Sequence, residues 1–383
     1  MLSLVIYICG SSGPWDEYNP FYVASMKYAK EVMYLIARGP MKVGDIVNEL
    51  GVSRKEVERV LKGLEKINAI KKVNDKVKIK FPVFFKEDMY KIDKVTEYPA
   101  RELAERVLSV WNEVERLLYK FSCASQVRVD KIAFAVVGAY VLDLTGLEVL
   151  REKKLAICGT PQPGGRRYTL YGREKFEGYR QLISGIYWGC HSSIVDNIGF
   201  YSFGDHSGKR YSLTDVPLDR EVLGVRNKEV ERKLRLRAAS MFLKVLKEVE
   251  VRVQFLVESE IDEKLLKLLK DMGYILINGE VRLNYPVFIK EDNQLISEIK
   301  NLLKPVIERS AIEYRSLLKR ELSEITPLKE GHSIELIYND LWHWIFGKAN
   351  KILAERGYLY NPSPRREGEG RYMAWVHESC IYT

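Results

Sequence analysis

Val43-Gly-Asp-Ile-Val-Asn-Glu-Leu50, then Gly51-Val52, then Ser53-Arg-Lys-Glu-Val-Glu-Arg-Val-Leu-Lys-Gly-Leu-Glu-Lys66 is the stretch that decides the amino-terminal fold. The first run has the length of a short helix, and Gly51-Val52 makes a tight turn. Ser53 opens the next helix with Glu56 three residues on, a capping box. Val57, Val60, Leu61, Leu64 and Ile67 form one apolar stripe, with Arg54, Lys55, Arg59, Lys62 and Lys66 mostly off it. Upstream, Met26, Ala29, Met33, Ile36 and Ala37 give Ser25 to Arg38 a helical rhythm, stopped by Gly39-Pro40. Downstream, Ile70 and Val73 precede an Asn74-Asp75 turn. Val77, Ile79 and Phe81 then alternate with Lys76, Lys78 and Lys80. That pattern predicts a hairpin with one apolar face and one lysine face.

Helix, helix, turn, helix, hairpin is the order of a winged helix-turn-helix. Ile46-Val-Asn-Glu-Leu-Gly-Val-Ser-Arg54 resembles the helix-turn-helix core of the ArsR/MarR-like prokaryotic and archaeal DNA-binding regulators, over about residues 24–82. The resemblance implies a recognition helix in a DNA major groove and a wing on the backbone. The charge agrees. Ser53 to Lys66 holds five basic and three acidic residues, and Ile70 to Lys80 holds five lysines and one aspartate. The expected DNA contacts are Ser53, Arg54, Lys55, Arg59 and Lys62 on the helix and Lys71, Lys72, Lys76, Lys78 and Lys80 on the wing.

The chain repeats itself. Phe81-Pro-Val-Phe-Phe-Lys-Glu-Asp88 returns as Tyr285-Pro-Val-Phe-Ile-Lys-Glu-Asp292, and Arg167-Tyr168-Thr-Leu-Tyr171 as Arg371-Tyr372-Met-Ala-Trp375, both 204 residues on. One offset recurring over this span points to a duplicated unit. We place copy one at about 20–171 and copy two at about 225–375. The second copy's helix, Glu258 to Met272, holds three lysines against five acids, and its hairpin, Gly273 to Asn284, is neutral. It is expected to keep the fold without binding phosphate.

The fold class is therefore α+β and helix-rich, internally duplicated. Each half carries a winged helix, a long helix and a smaller helix-and-hairpin module. The expected divisions are an arm at 1–19, a winged helix at 20–97 and a helical linker with a basic hairpin at 98–171. A Gly- and aromatic-rich joining segment follows at 172–224, then a degenerate winged helix at 225–295 and a second linker and basic hairpin at 296–383. The long helix is expected to begin after Tyr98-Pro99 and run through Leu103, Val107, Trp111, Val114 and Leu118 to Phe121. The Pro/Gly-rich turns carrying Arg166 and Arg167, and Arg365 and Arg366, are expected to grip backbone phosphate as further wings.

Composition sets the outer limits. The chain has 383 residues, 46% apolar and 30% charged, with a formal charge of +9. This excludes a disordered chain and suits an anionic partner. No stretch approaches the ~18 apolar residues of a bilayer span. The nearest, Ile132 to Leu150, is expected to be a buried core helix pair. Met1 to Cys9 lacks the basic lead of a signal peptide and reads as a short strand or packing arm. Cys9, Cys123, Cys158, Cys190 and Cys380 are scattered with no C-x-x-C, so neither a disulfide framework nor a thiolate metal site is indicated, and a reducing cytoplasmic home follows. Glutamine is scarce, a bias common in heat-adapted proteins.

The functional expectation is a double-stranded DNA-binding transcription regulator, not an enzyme, acting as an internal pseudo-dimer without cofactor, metal or membrane. A homodimer partner or a small effector is left open. Three other readings stand beside it. An RNA-binding winged helix would stack bases on Tyr168, Tyr171 and Trp375. A protein–protein scaffold would bind no nucleic acid. An enzyme would pair Cys190 with His191 as nucleophile and base, although neighbours on a strand face opposite ways. Cys190, His191, Asp205 and His206 fit no standard zinc spacing. No phosphate-binding P-loop, H-E-x-x-H or G-x-S-x-G motif occurs.

Overall fold

The structure, a computed structural model, describes residues 3–157, 159–248 and 250–379; Cys158 and Cys380 lie outside them. In chain order the first elements are β1 (Ser3–Ser11), α1 (Pro20–Ala24), α2 (Ala29–Ala37), β2 (Met41–Lys42), α3 (Val43–Leu50), α4 (Arg54–Lys66), β3 (Ile70–Val73), β4 (Lys76–Ile79) and β5 (Val83–Phe84). Then come α5 (Lys86–Leu108), α6 (Trp111–Leu118), α7 (Val129–Ala133), a π-helical run Phe134–Thr145, α8 (Gly146–Glu152), β6 (Pro161–Gln162), β7 (Arg166–Lys175) and α9 (Tyr179–Ile183). Next are β8 (Gly189–Val195), β9 (Ile198–Gly204), α10 (Leu218–Leu223), α11 (Lys228–Lys247), α12 (Val253–Leu256), α13 (Glu260–Asp271), β10 (Ile275–Asn278), β11 (Glu280–Leu283) and β12 (Val287–Phe288). The last are α14 (Asp292–Glu321), α15 (Thr326–Lys329), α16 (Ile334–Glu355) and β13 (Tyr372–His377). About 52% of the described residues are helical and the strands form several small sheets.

The chain divides into two units, each built from three separate segments. One unit holds residues 1–97, 147–179 and 311–342; the other holds 98–146, 180–310 and 343–383.

In the first unit, β7 is the centre of a sheet. It pairs antiparallel with β1 and parallel with β5, and β6 folds back on its start. The expected packing arm is thus a strand. The expected basic hairpin around Arg166 forms as β6 and the start of β7, but β7 runs on as a central strand with β1 and β5 on either side, so the hairpin does not project as a separate wing. In the second unit β13 plays the same part between β12 and β9, with β8 beyond. Its basic residues Arg365 and Arg366 precede a sheet strand and form no hairpin of their own.

The registers repeat. Val83 faces Gly172 and Phe84 faces Arg173; Val287 faces Val376 and Phe288 faces His377. Every one of these positions recurs 204 residues on. Asp88 Oδ2 accepts from the Phe85 amide and Asp292 Oδ2 from the Ile289 amide, each at 2.9 Å.

Local chemistry explains the elements. The Ser53 hydroxyl accepts from the Glu56 amide while the Glu56 carboxylate accepts from the Ser53 amide, which starts α4. Gly51, at φ 62°, ends α3 in the left-handed region where a glycine is least strained. Three expectations change. The Ser25–Arg38 rhythm is split, because Tyr28 sits left-handed at φ 67° and α2 starts only at Ala29. Tyr98-Pro99 does not start a helix: α5 runs straight through Pro99, and the Thr96 hydroxyl donates to the Ile92 carbonyl one turn earlier at 2.7 Å. The same pattern then breaks at Val110 into α6. The apolar run is not a helix pair either. Val129–Glu152 is continuous and long and apolar enough to cross a membrane, but most of it is buried inside the protein.

Candidate nucleic-acid interface

The core of the first unit fixes which face of α4 looks outward. Val57, Val60, Leu61 and Leu64 are buried among Val23, Val32, Met33, Ile36, Ile46, Val77 and Ile79. Lys55, Arg59, Lys62 and Lys66 recur at spacings of four, three and four, so they share the opposite face. The first three are exposed and Lys66 is half-buried. No acid lies within this stripe; Glu56, Glu58 and Glu65 sit to its sides. Arg54 is off the stripe and pairs with Glu58 at 2.8 Å. Both groups are largely exposed, a pairing worth ~0–1 kcal/mol that an incoming phosphate can displace.

The wing forms where the alternation places it. Val73 pairs with Lys76 across Asn74-Asp75, with Asn74 at φ 57°. Lys71, Lys72, Lys76 and Lys80 are exposed. Lys72 touches Glu65 at 3.0 Å, and Lys80 bonds the Asn68 side chain. Lys78 is different. It is half-buried and paired with Glu330 at 2.7 Å, from the 311–342 segment of the same unit. Three lysines of the ribbon therefore have partners within the protein, and of these Lys78 is the half-buried one.

The second set of basic residues divides likewise. Arg167 is exposed, whereas Arg166 is half-buried and bonds Asp16 at 2.5 Å. Arg365 pairs with Glu369 at 2.8 Å and also reaches the Tyr372 hydroxyl and the Met272 carbonyl. It serves as internal glue in the second unit. Arg366 lies over the Tyr211 ring, 4.0 Å from its centroid.

Helix α13 carries a different outward face. Aligning buried Leu265, Leu266 and Leu269 of α13 with Val60, Leu61 and Leu64 puts Glu260, Lys264, Lys267 and Asp271 on the outward face. That face is neutral, and Glu260 pairs with Lys264 at 2.7 Å. Asp262 is buried against Arg237 at 2.8 Å and the Glu258 amide at 3.0 Å, holding the helix start in place. The salt bridge keeps the Asp262 carboxyl below its usual range.

Other arrangements weighed from the sequence look different in three dimensions. Tyr168, Tyr171 and Trp375 are fully buried, so none offers a face to a base. Cys190 and His191 point away from each other on β8. Burial pushes the Cys190 thiol up to about 12, the wrong direction for a thiolate nucleophile. The His191 ring instead bonds Asp215 at 2.7 Å, and that carboxylate also accepts from Ser212 and Thr214. Among the described residues no group of three or more His, Cys, Asp or Glu side chains could hold a metal ion.

Sequence reasoning missed the loop beside α4. Glu17 pairs with Lys66 and Asp16 with Arg166, so residues 12–19 lie against the end of α4. The exposed Trp15 was the signal that could have found it.

No curated protein and no solved structure matches the chain. Residues 29–72 match the family described as "Bacterial regulatory protein, arsR family". The match runs from the start of α2 through the capping box and the basic stripe of α4 into β3. Residues 29–72 are therefore similar to the helix-turn-helix of that family, and the wing is completed by β4 just beyond the match.

Proposed function

We propose that the chain is a double-stranded DNA-binding transcription regulator of the cytoplasm that reads its target through α4. One observation carries this: a purely basic stripe on the outward face of α4, set against a neutral face on α13. In a groove, Lys55, Arg59 and Lys62 reach base edges and phosphate, while Lys71, Lys72, Lys76 and Lys80 hold the backbone. Outside the winged helix, Arg365 is exposed but held by Glu369, which leaves Arg167 and Arg366 as the remaining candidates.

The repeated registers support an internal duplication, with the chain acting as its own pseudo-dimer. Only one half carries the basic face, so the target site need not be palindromic.

Titration of a labelled random duplex by anisotropy, at two salt concentrations, tests this. Binding of ~10⁻⁶ M or weaker is expected at physiological salt, tightening steeply as salt falls. The double change Lys55→Glu with Arg59→Glu should weaken binding and flatten the salt slope by about two, roughly 0.9 for each phosphate no longer neutralised. Glu260→Gln with Glu263→Gln should leave both unchanged. Salt-independent binding, or equal losses from the two pairs, would overturn the reading.

A further inference from the structure

We propose that Trp15, backed by Tyr22, is a stacking platform for an unpaired DNA base at the edge of the duplex held by α4. The proposal rests on the DNA-binding reading above and adds to it a preference for duplexes that open into single strand.

Trp15 is the most exposed large hydrophobic side chain among the described residues, at 65%. A single exposed hydrophobic is ordinary. What sets Trp15 apart is how firmly its loop is held. The Asn19 side chain is buried. Its amide lies within hydrogen-bonding reach of the Ser12, Gly13 and Pro14 carbonyls, at 3.4, 3.2 and 3.1 Å. Its oxygen accepts from the Phe21 and Tyr22 amides. Gly13, at φ 65°, lies so close to the Arg166 guanidinium that a Cβ there would meet it at 2.6 Å. The loop is thus pinned at both ends, and the indole is presented without an ordering cost on binding. Tyr22 meets Trp15 edge-on, with ring centroids 5.9 Å apart, which steadies the indole plane.

Charge identifies the occupant. The loop's own acids are neutralised, Asp16 by Arg166 and Glu17 by Lys66. Lys66, paired with Glu17, ties the loop to the end of the stripe, one turn beyond the exposed Lys62. From Lys55 to Lys66 that stripe runs about 16 Å, the rise of roughly five base pairs, and it ends at the loop. A polyanion lying along the stripe is delivered to Trp15. Intact duplex offers no base face sideways, because each base is stacked on its neighbours. An indole gains a π face only where a base is unpaired, and such stacking is largely indifferent to sequence.

The test uses the full chain and two labelled DNAs: a blunt random duplex, and the same duplex with a three-nucleotide single-stranded overhang. The overhang is expected to bind about tenfold more tightly. Trp15→Ala should reduce that preference to less than about twofold while leaving blunt-duplex affinity unchanged, and Trp15→Phe should keep most of it. Equal binding of the two DNAs, a preference that survives Trp15→Ala, or an equal loss on both DNAs would overturn the proposal. The double change Lys55→Glu with Arg59→Glu separates the two readings. It should weaken both DNAs alike, and a chain that binds neither DNA at low salt defeats the DNA reading and this proposal with it.

Discussion

His377 sits fully buried at the end of β13, in a chain of hydrogen bonds. Trp375 Nε1–H donates to the Tyr140 hydroxyl at 2.9 Å, which lies 3.1 Å from His377 Nδ1. His377 Nε2 meets Asn293 Oδ1 at 2.7 Å, an acceptor that places the proton on Nε2. Burial pushes the imidazole down to about 4. Above pH ~6.5 the ring is neutral whether the chain is folded or not, and its contribution is fully present. As pH falls toward 4, only the unfolded chain takes the proton, so stability drops by about 3 kcal/mol over that window and this group then adds no further slope. Urea denaturation at pH 7 and pH 4.5 checks this: His377→Gln should be less stable at pH 7 yet show a shallower fall. An equal fall in both proteins would mean that His377 is not the titrating group. The position 204 residues earlier is Arg173, which is also buried. It bonds Asp340 at 2.6 Å and lies over the Tyr7 ring. One register position thus carries a neutral relay in one unit and an ion pair in the other.

At the scale of elements, α4 depends on its start. Its capping box satisfies amides that would otherwise lack partners at the helix end. Ser53→Ala should cost about 1 kcal/mol by chemical denaturation. Because it disturbs the first turn of α4, the proposed reading predicts that it also weakens DNA binding; no loss of stability would mean that packing alone sets where α4 begins. The cap, the turn at Gly51 and the apolar stripe were all legible in the sequence, because each is a local rule with its partners within four residues. The identity of the outward stripe was legible only in part. Net charge separated α4 from α13, but the burial of Asp262 and the engagement of Lys78 by Glu330 depend on residues far away in the chain. The break at Val110 and the passage through Pro99 were not readable for the same reason: apolar spacing continues across both, and long-range packing decides where the helix is cut.

At the scale of the whole molecule, segments distant in sequence complete each unit. Asp88 accepts from the Thr326 amide at 2.9 Å, and Asp292 from the Ser122 amide at 2.9 Å. The two bonds are the same interaction, with each aspartate satisfied by the other half of the sequence. In the first unit the Tyr171 hydroxyl also reaches the Leu336 carbonyl. Neither unit is therefore a continuous piece of chain. Residues 1–179 alone should lack a cooperative thermal transition, because Thr326, Leu336 and Asp340 are missing from their unit. Co-expression with residues 180–383 should restore it in a 1:1 complex. A cooperative melt from 1–179 alone would show that the exchanged segment is dispensable.

By itself the sequence determined the local grammar: the helix-turn-helix, its cap, its lysine wing, the short motifs that recur at offset 204 and the lower positive charge of α13. Those features rest on periodicity, turn chemistry and charge within short windows. The tertiary structure decided which basic residues remain free, which aromatics are hidden, and which segments complete each unit. These outcomes turn on burial, and burial is a property of residues brought together from distant parts of the chain, which no local pattern records.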